Sequence, residues 1–527
     1  MRGFHICNVA QFRPDYLKKW LKRLSELGYD TVIWELENSV KWESCPECAA
    51  PDALSKDEFR EILSFSRKLG LEPVPLFQVL GHCEYVLKQP GYSHLAESPG
   101  CISQYCPSNP QVLDFLRKWI NEYLELFGDI KHFHLGMDEA RHLGECPDCG
   151  KLVAEHSKSE LYIRHVNTMS ASLIKNGVRT IIWADMLLAH PEALDSLSRE
   201  IILFDWMYDI RRNNDKVWVW GKGKCDKDSL PPEMRKLFEA ALFPLGDEPG
   251  REPDTFYTAD FLAGNGFDVV TCPASSSYGD NVFSPRHFHH LRNTFDSFSK
   301  SAEKKLYGSV LTSWTVHLFP WELQAACIGT PSYLAQAASP SIEGCQDYLA
   351  AELFGVESVD FWKAAGLLSK TCLFSYTASL GFNQSWLPVP PDFFSGKLKS
   401  LAEQGTLRQE YENSLLRLAE YEEGEKLFEA LAKTVRKGNE LIAFWRLAAR
   451  NLVNRAKASI CLLEIALNVS DKTQSAGKVL AELNAVKSET EAAYRGIVLP
   501  VRCKEVISLM YDGVAAELGR QGDRTSQ

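Results

Sequence analysis

Two carboxylates stand side by side in the run His134-Leu135-Gly136-Met137-Asp138-Glu139. Cleaving a glycosidic bond takes a proton donor at the leaving oxygen and a nucleophile at the anomeric carbon, and two carboxylates usually share these jobs across the bond. Neighbours in sequence cannot flank a bond in that way. They suit the variant in which the 2-acetamido oxygen of the sugar attacks, so that the enzyme supplies one acid and one group that orients the amide. Glu139 then serves as general acid and later as base toward water, and Asp138 holds the acetamido N–H. A second negative charge beside Asp138, against an aromatic wall, is disfavoured, which predicts a Glu139 carboxyl that keeps its proton near neutral pH.

Two Cys-x-x-Cys knuckles, Cys45-Pro46-Glu47-Cys48 and Cys146-Pro147-Asp148-Cys149, have the spacing that lets two thiolates reach one metal ion. Together they make one closed four-sulfur site, a structural zinc formed by Cys45, Cys48, Cys146 and Cys149 that would pin the loop following Glu139. Reduced thiols, or a disulfide within each pair, are the alternative. Cys83, Cys101 and Cys106 lack the knuckle spacing and are read as ordinary cysteines.

Eight short apolar, β-branched runs alternate with amphipathic stretches and must position these groups: Phe4–Val9, Thr31–Leu36, Pro73–Gln78, His132–Gly136, Thr180–Ala184, Ile201–Trp206, Asp268–Cys272 and Ser309–Trp314. Eight strand–helix units predict an α/β fold, a (β/α)8 barrel over residues 1–340, with its active site at the C-terminal ends of the strands. Those ends carry Gln78 with His82, Asp138 with Glu139, Trp183 with Asp185, Trp206 with Tyr208, then Tyr278 and Trp314. From 341 to 527 the strand signal fades and Leu, Ala, Glu, Lys and Arg at helical spacing predict an α-helical domain. In it Leu415, Leu418, Tyr421, Leu427 and Leu431 are candidate core positions. The prolines Pro388, Pro390 and Pro391 between Leu387 and Phe394 mark a connection.

The run His134-x-Gly136-x-Asp138-Glu139 resembles the signature of glycoside hydrolase family 20. Pro75 to Lys88, Leu143-Gly144-Glu145-Cys146 and Leu311-Thr312-Ser313-Trp314 look like its hexosaminidase D branch. The resemblance covers roughly the first 340 residues. It implies a retaining exo-β-N-acetylhexosaminidase that removes terminal β-linked GalNAc or GlcNAc through an oxazolinium intermediate and needs no catalytic cofactor. It also implies a sugar pocket walled by Trp183, Trp206 and Trp314, a tyrosine on the acetamide oxygen (Tyr208 in preference to Tyr278), and His82 supporting the acid. Gln78, His134 and Asp185 complete the expected substrate-binding set. Two departures stand out. Met137 occupies the place of a usual glycine, and Val316 with His317 replaces an acidic residue that grips the sugar's outer hydroxyls, which leaves the choice of epimer open.

The chain of 527 residues carries a formal net charge of -11, with 58 Lys and Arg against 69 Asp and Glu. This balance argues against a nucleic-acid partner, because phosphate binding leans on clustered basic residues. No apolar run approaches a membrane-spanning length, and no basic segment precedes an apolar one at the N-terminus. The expectation is a cytoplasmic protein acting on a small carbohydrate, without a membrane partner and as a possible homodimer. Two rival readings stay open: a metal-dependent hydrolase with His82, His134, Asp138 and Asp185 as ligands of a catalytic ion, and a sugar-binding barrel without turnover.

Overall fold

The computed structural model describes residues 1–210, 217–225, 229–232, 234, 255–277, 279–314, 320–375, 392–469 and 476–524. They fall into two compact units. The first comprises Met1–Val9, Leu17–Ala274 and Asn293–Ser313, and the second Ala10–Tyr16, Ser275–Arg292 and Trp314–Gln527.

The first unit is a closed parallel barrel. Its strands are β1 (Arg2–Cys7), β2 (Thr31–Glu35), β3 (Glu72–Leu76), β4 (His132–His134), β5 (Arg179–Trp183), β6 (Ile202–Trp206), β7 (Asp268–Cys272) and β8 (Gly308–Ser313). Each pairs in parallel with the next, and β1 closes on β8 with Phe4 opposite Leu311. Runs such as Thr31-Val32-Ile33-Trp34-Glu35 are buried at every position. A strand covered by helices on one side and by the barrel interior on the other needs apolar, β-branched residues on both faces. The eight expected barrel strands are the eight observed, with ends displaced by two residues or fewer; at β4 regular strand stops at His134. Its ladder continues irregularly, the Leu135 N–H donating to Ile181 O and the Trp183 N–H to Gly136 O.

A buried polar layer fills the barrel interior. The His5 ring (Nε2) sits 3.1 Å from Glu35 Oε2, and Gln78 Nε2 donates to Glu35 Oε1 at 3.1 Å. His134 packs its ring 4.6 Å from that of Trp183. Gln78 and His134 are 2% and 0% exposed, beneath the strand ends in the barrel interior, and Gln78 Oε1 and His134 Nε2 have no hydrogen-bond partner among the described residues.

The second unit is helical, with long antiparallel members Leu407–Thr434, Asn439–Ala466, Ala476–Tyr494 and Pro500–Arg524. Along the first of these the buried positions are Leu407, Ser414, Tyr421, Gly424, Phe428 and Leu431. Leu407, Ser414, Tyr421 and Phe428 recur every seven residues, which keeps one seam against its neighbours. Tyr421 and Leu431 therefore meet the expectation, whereas Leu415 is exposed and Leu418 and Leu427 are only half-buried. Gly424 lies where a Cβ would come 3.0 Å from the Leu368 side chain, so the helix passes close to Leu368 there. The last piece of the first unit ends at Ser313, and the last piece of the second begins at Trp314. The helix Trp321–Leu334, expected as part of the barrel, is buried on nearly every face within the second unit. The proline segment lies outside the described residues up to Pro391, and a helix starts at Phe393.

Candidate active site

Immediately after β4 the backbone takes a conformation that few sequences accept. Gly136, Met137 and Glu139 have φ of 67°, 74° and 49°. A left-handed φ suits glycine and strains a side chain such as that of Met137 by roughly 1–3 kcal/mol. Opposite, after β3, His82 also has a positive φ of 53°. The two loops approach so closely that a Cβ on Gly81 would lie 2.3 Å from Asp138 O, and one on Gly136 would lie 1.8 Å from the Gln78 side chain. Glycine at both places is a steric requirement.

This geometry gathers the acids. His82 Nε2 lies 3.2 Å from Asp138 Oδ2 and 3.4 Å from Glu139 Oε2. The Glu139 N–H donates to Asp185 Oδ2 at 2.9 Å, and Trp206 Nε1–H donates to Asp185 Oδ1 at 3.4 Å. Asp185, at the start of the helix Asp185–Ala189, thus fixes the backbone of the candidate acid from the neighbouring strand. Asp138 is buried, and its Oδ1 has no hydrogen-bond partner among the described residues. A buried acceptor left unused is costly unless something else donates to it.

The charges are unevenly distributed. Burial drives the Asp185 carboxyl up, with the Asp138 charge adding to it, to about 7. Burial opposes the charge of His82, but its contacts with Asp138 and Glu139 prevail and hold it well above the ordinary imidazole range. Burial likewise raises the Glu139 carboxyl, yet the His82 hydrogen bond and charge, together with Arg141, whose Nη2 donates to Glu139 Oε1 at 2.6 Å, outweigh it and leave the group below its ordinary value. That corrects the expectation of a raised Glu139. His82, expected to support the acid, and Arg141, not weighed in the sequence, are two cationic neighbours that together overcome the burial.

Trp206, Tyr208 and Trp220 form the aromatic wall of this part of the barrel. The Trp206 ring is 5.1 Å from Tyr208 and 4.3 Å from Trp220. Trp183 is 1% exposed, packed between His134 and Phe204. Trp314 belongs to the second unit, where its carbonyl accepts from Ser276 Oγ at 3.1 Å. Tyr278, Val316 and His317 lie outside the described residues. The structure therefore brings Asp138, Glu139, His82, Asp185, Trp206 and Tyr208 together. Arg141 and Trp220 were missed. The aromatic run Trp218-Val219-Trp220 was the available signal for Trp220, and an exposed arginine two residues past an acid carries almost none.

The cysteines are arranged differently from the expectation. Cys45 and Cys48 are joined to each other by a disulfide, with Cα atoms 5.5 Å apart. Cys146 and Cys149 are met by Cys106 and by Glu97, so Cys106 is not an ordinary cysteine. Those four are the side chains placed to share a metal ion among the described residues. The rim set His82, His134, Asp138 and Asp185 does not converge, and His134 Nδ1 is already taken by the Gly136 N–H at 2.9 Å. The rival catalytic-ion site loses its geometry.

Residues 23–220 match glycosyl hydrolase family 20, catalytic domain, which bears out the resemblance read from the motifs. Hexosaminidase D from Bos taurus is 29% identical over 226 residues, covering 39% of this chain and 65% of that protein. Hexosaminidase D from Homo sapiens is 28% identical over 223 residues, covering 40% of this chain and 46% of that protein. The chain thus spans about half to two-thirds of the length of these relatives. A solved chitobiase from Flavobacterium johnsoniae is 15% identical, covering 97% of this chain and 78% of that one, with a TM-score of 0.49.

Proposed function

We propose that this chain, matched over residues 23–220 to the family 20 catalytic domain, is a retaining β-N-acetylhexosaminidase that uses the substrate's own acetamido group as nucleophile. The observation that carries the reading is the cluster of His82, Asp138 and Glu139 at the end of β4, with Asp185 holding the Glu139 backbone. Adjacent acids cannot stand on opposite faces of a glycosidic bond, so they take unequal roles. Asp138 accepts the acetamido N–H at its unused Oδ1 and offsets the positive charge of the oxazolinium intermediate. Glu139 protonates the departing oxygen and afterwards draws a proton from water.

A general acid needs its proton, and Glu139 in the free chain is held low by His82 and Arg141. A sugar filling the space beside it excludes water and strengthens the burial that already pushes the carboxyl upward. His82, held cationic, keeps the combined charge of the two acids small while that happens. Trp206 and Tyr208 offer aromatic faces to a pyranose.

The test is hydrolysis of paired chromogenic N-acetyl-β-galactosaminide and N-acetyl-β-glucosaminide. Turnover on either, falling about 10²–10⁴-fold in Glu139→Gln, supports the reading. Absence of turnover with sugar binding retained would make the chain a binding barrel. A thiazoline mimic of the oxazoline should inhibit strongly, as analogues of high-energy intermediates do; failure of that compound to bind would exclude the acetamido group as nucleophile.

A further inference from the structure

We propose a structural zinc site formed by Cys106, Cys146, Cys149 and Glu97, independent of the catalytic reading above. Their ligand atoms lie within 4.8 Å of one another. Cys106 Sγ is 3.6 Å from Cys146 Sγ and 3.7 Å from Cys149 Sγ. A tetrahedral zinc with sulfur bonds near 2.3 Å has sulfur–sulfur edges of about 3.8 Å. A disulfide would need sulfurs about 2.05 Å apart.

The carboxylate argues in the same direction. Glu97 is 1% exposed and has no ion pair among the described residues. Its Oε1 accepts the backbone N–H groups of Gly144, Glu145 and Cys146 at 3.0, 3.0 and 3.2 Å, and its Oε2 is turned to Cys149 Sγ at 3.3 Å. A buried carboxylate facing three sulfurs is expensive without a cation, and thiolates with a carboxylate oxygen are ligands that zinc accepts.

The backbone prepares the geometry. Glu97 N–H donates to Gln104 O, Cys106 N–H donates to Leu95 O, and the bridge between Ala96 and Tyr105 folds this segment back on itself, which sets Glu97 beside Cys106. Cys146 caps the helix Pro147–Glu155, its Sγ accepting from the Cys149 N–H at 3.3 Å. Ser108 Oγ is a further polar neighbour, 3.1 Å from Cys149 Sγ. The ion would staple the segment after β3 to the one that leaves Glu139, where the His142 N–H also donates to Gln104 Oε1 at 2.8 Å.

The experiment is zinc content per chain of the full-length protein, reconstituted with zinc under reducing conditions and passed through gel filtration. The expected result is one zinc per chain, lost in Cys106→Ala, weakened in Glu97→Gln and retained in the double variant Cys45→Ser/Cys48→Ser. No zinc in the unaltered chain would overturn the proposal, as would loss on changing Cys45 and Cys48 with Cys106→Ala unaffected. Because a cysteine variant can fail to fold, cobalt(II) is also titrated into the metal-free unaltered chain. Tetrahedral d–d bands with sulfur-to-cobalt charge transfer support the site, and a spectrum lacking the sulfur bands rejects it.

Discussion

Two of the histidine–carboxylate contacts in the barrel are of opposite character. In the interior, His5 and Glu35 are 0% and 3% exposed, on regular strand, and Glu35 is also bonded to Gln78. At the strand ends, the His82 and Glu139 side chains are 19% and 30% exposed, both on left-handed backbone, beside an Asp138 oxygen with no partner. Burial raises both glutamates, and histidine contacts bring both below the ordinary carboxylate value. A displaced proton affinity therefore does not separate a reactive group from a supporting one. What separates them is access to solvent and left-handed backbone.

The widest separation comes from matched substitutions. Glu139→Gln should lower kcat about 10²–10⁴-fold with little change in melting temperature, whereas Glu35→Gln should cost about 1–3 kcal/mol of stability and leave the turnover of folded molecules nearly intact. Parallel kinetics and denaturant titration check the pair, and equal loss of activity in both would erase the distinction. Gly81→Ala should follow, since its Cβ would press on Asp138 O at 2.3 Å. Displacing an acid by about 1 Å costs roughly 10²-fold, and here kcat should fall more than KM rises.

Asp185 gives a smaller effect, read in stability. Its carboxyl rests at about 7 in the folded chain, against an ordinary value of 3.8. Between these values the folded chain holds a proton that the unfolded chain has released, so this group makes stability fall as pH rises from about 4 to about 7. The whole contribution is at most about 4 kcal/mol, with each tenfold in proton affinity worth about 1.4 kcal/mol. Asp185→Asn should flatten that slope in denaturant titrations across the interval; an unchanged slope would place the titration elsewhere. The smallest effect belongs to Arg141→Ala. Removing an exposed cation from Glu139 lets its carboxyl rise, which should move the alkaline limb of the rate profile to higher pH while changing kcat/KM by less than about fivefold.

The barrel was legible because each strand is a short, doubly buried run bounded by polar residues, and such runs have no other stable use. Asp138 and Glu139 were legible because the signature binds type and spacing together. The Cys106 and Glu97 partnership was not, since those residues meet through a fold-back between residues 95 and 106 that no periodicity reports. A cue was nevertheless present: Cys106 is followed by proline, as Cys45 and Cys146 are. The state of Glu139 was misread for a related reason. His82 and Arg141 reach it by loop geometry, and neither spacing nor composition announces a cation at that oxygen. The sequence offers no sharp mark where the barrel ends: contact grouping puts the helix Trp321–Leu334 with the second unit, and that helix follows β8 as a barrel helix would.

The contact between Gly81 and the carbonyl of Asp138 bears on how this chain can change over generations. Any residue larger than glycine at 81 requires the strand-end segment to move, and any such movement displaces the acids. Substitutions in the two loops should therefore combine non-additively, a change in one being accepted only on the background of a matching change in the other. Substitutions should be accepted more readily at the exposed flanks, where Arg141 stands.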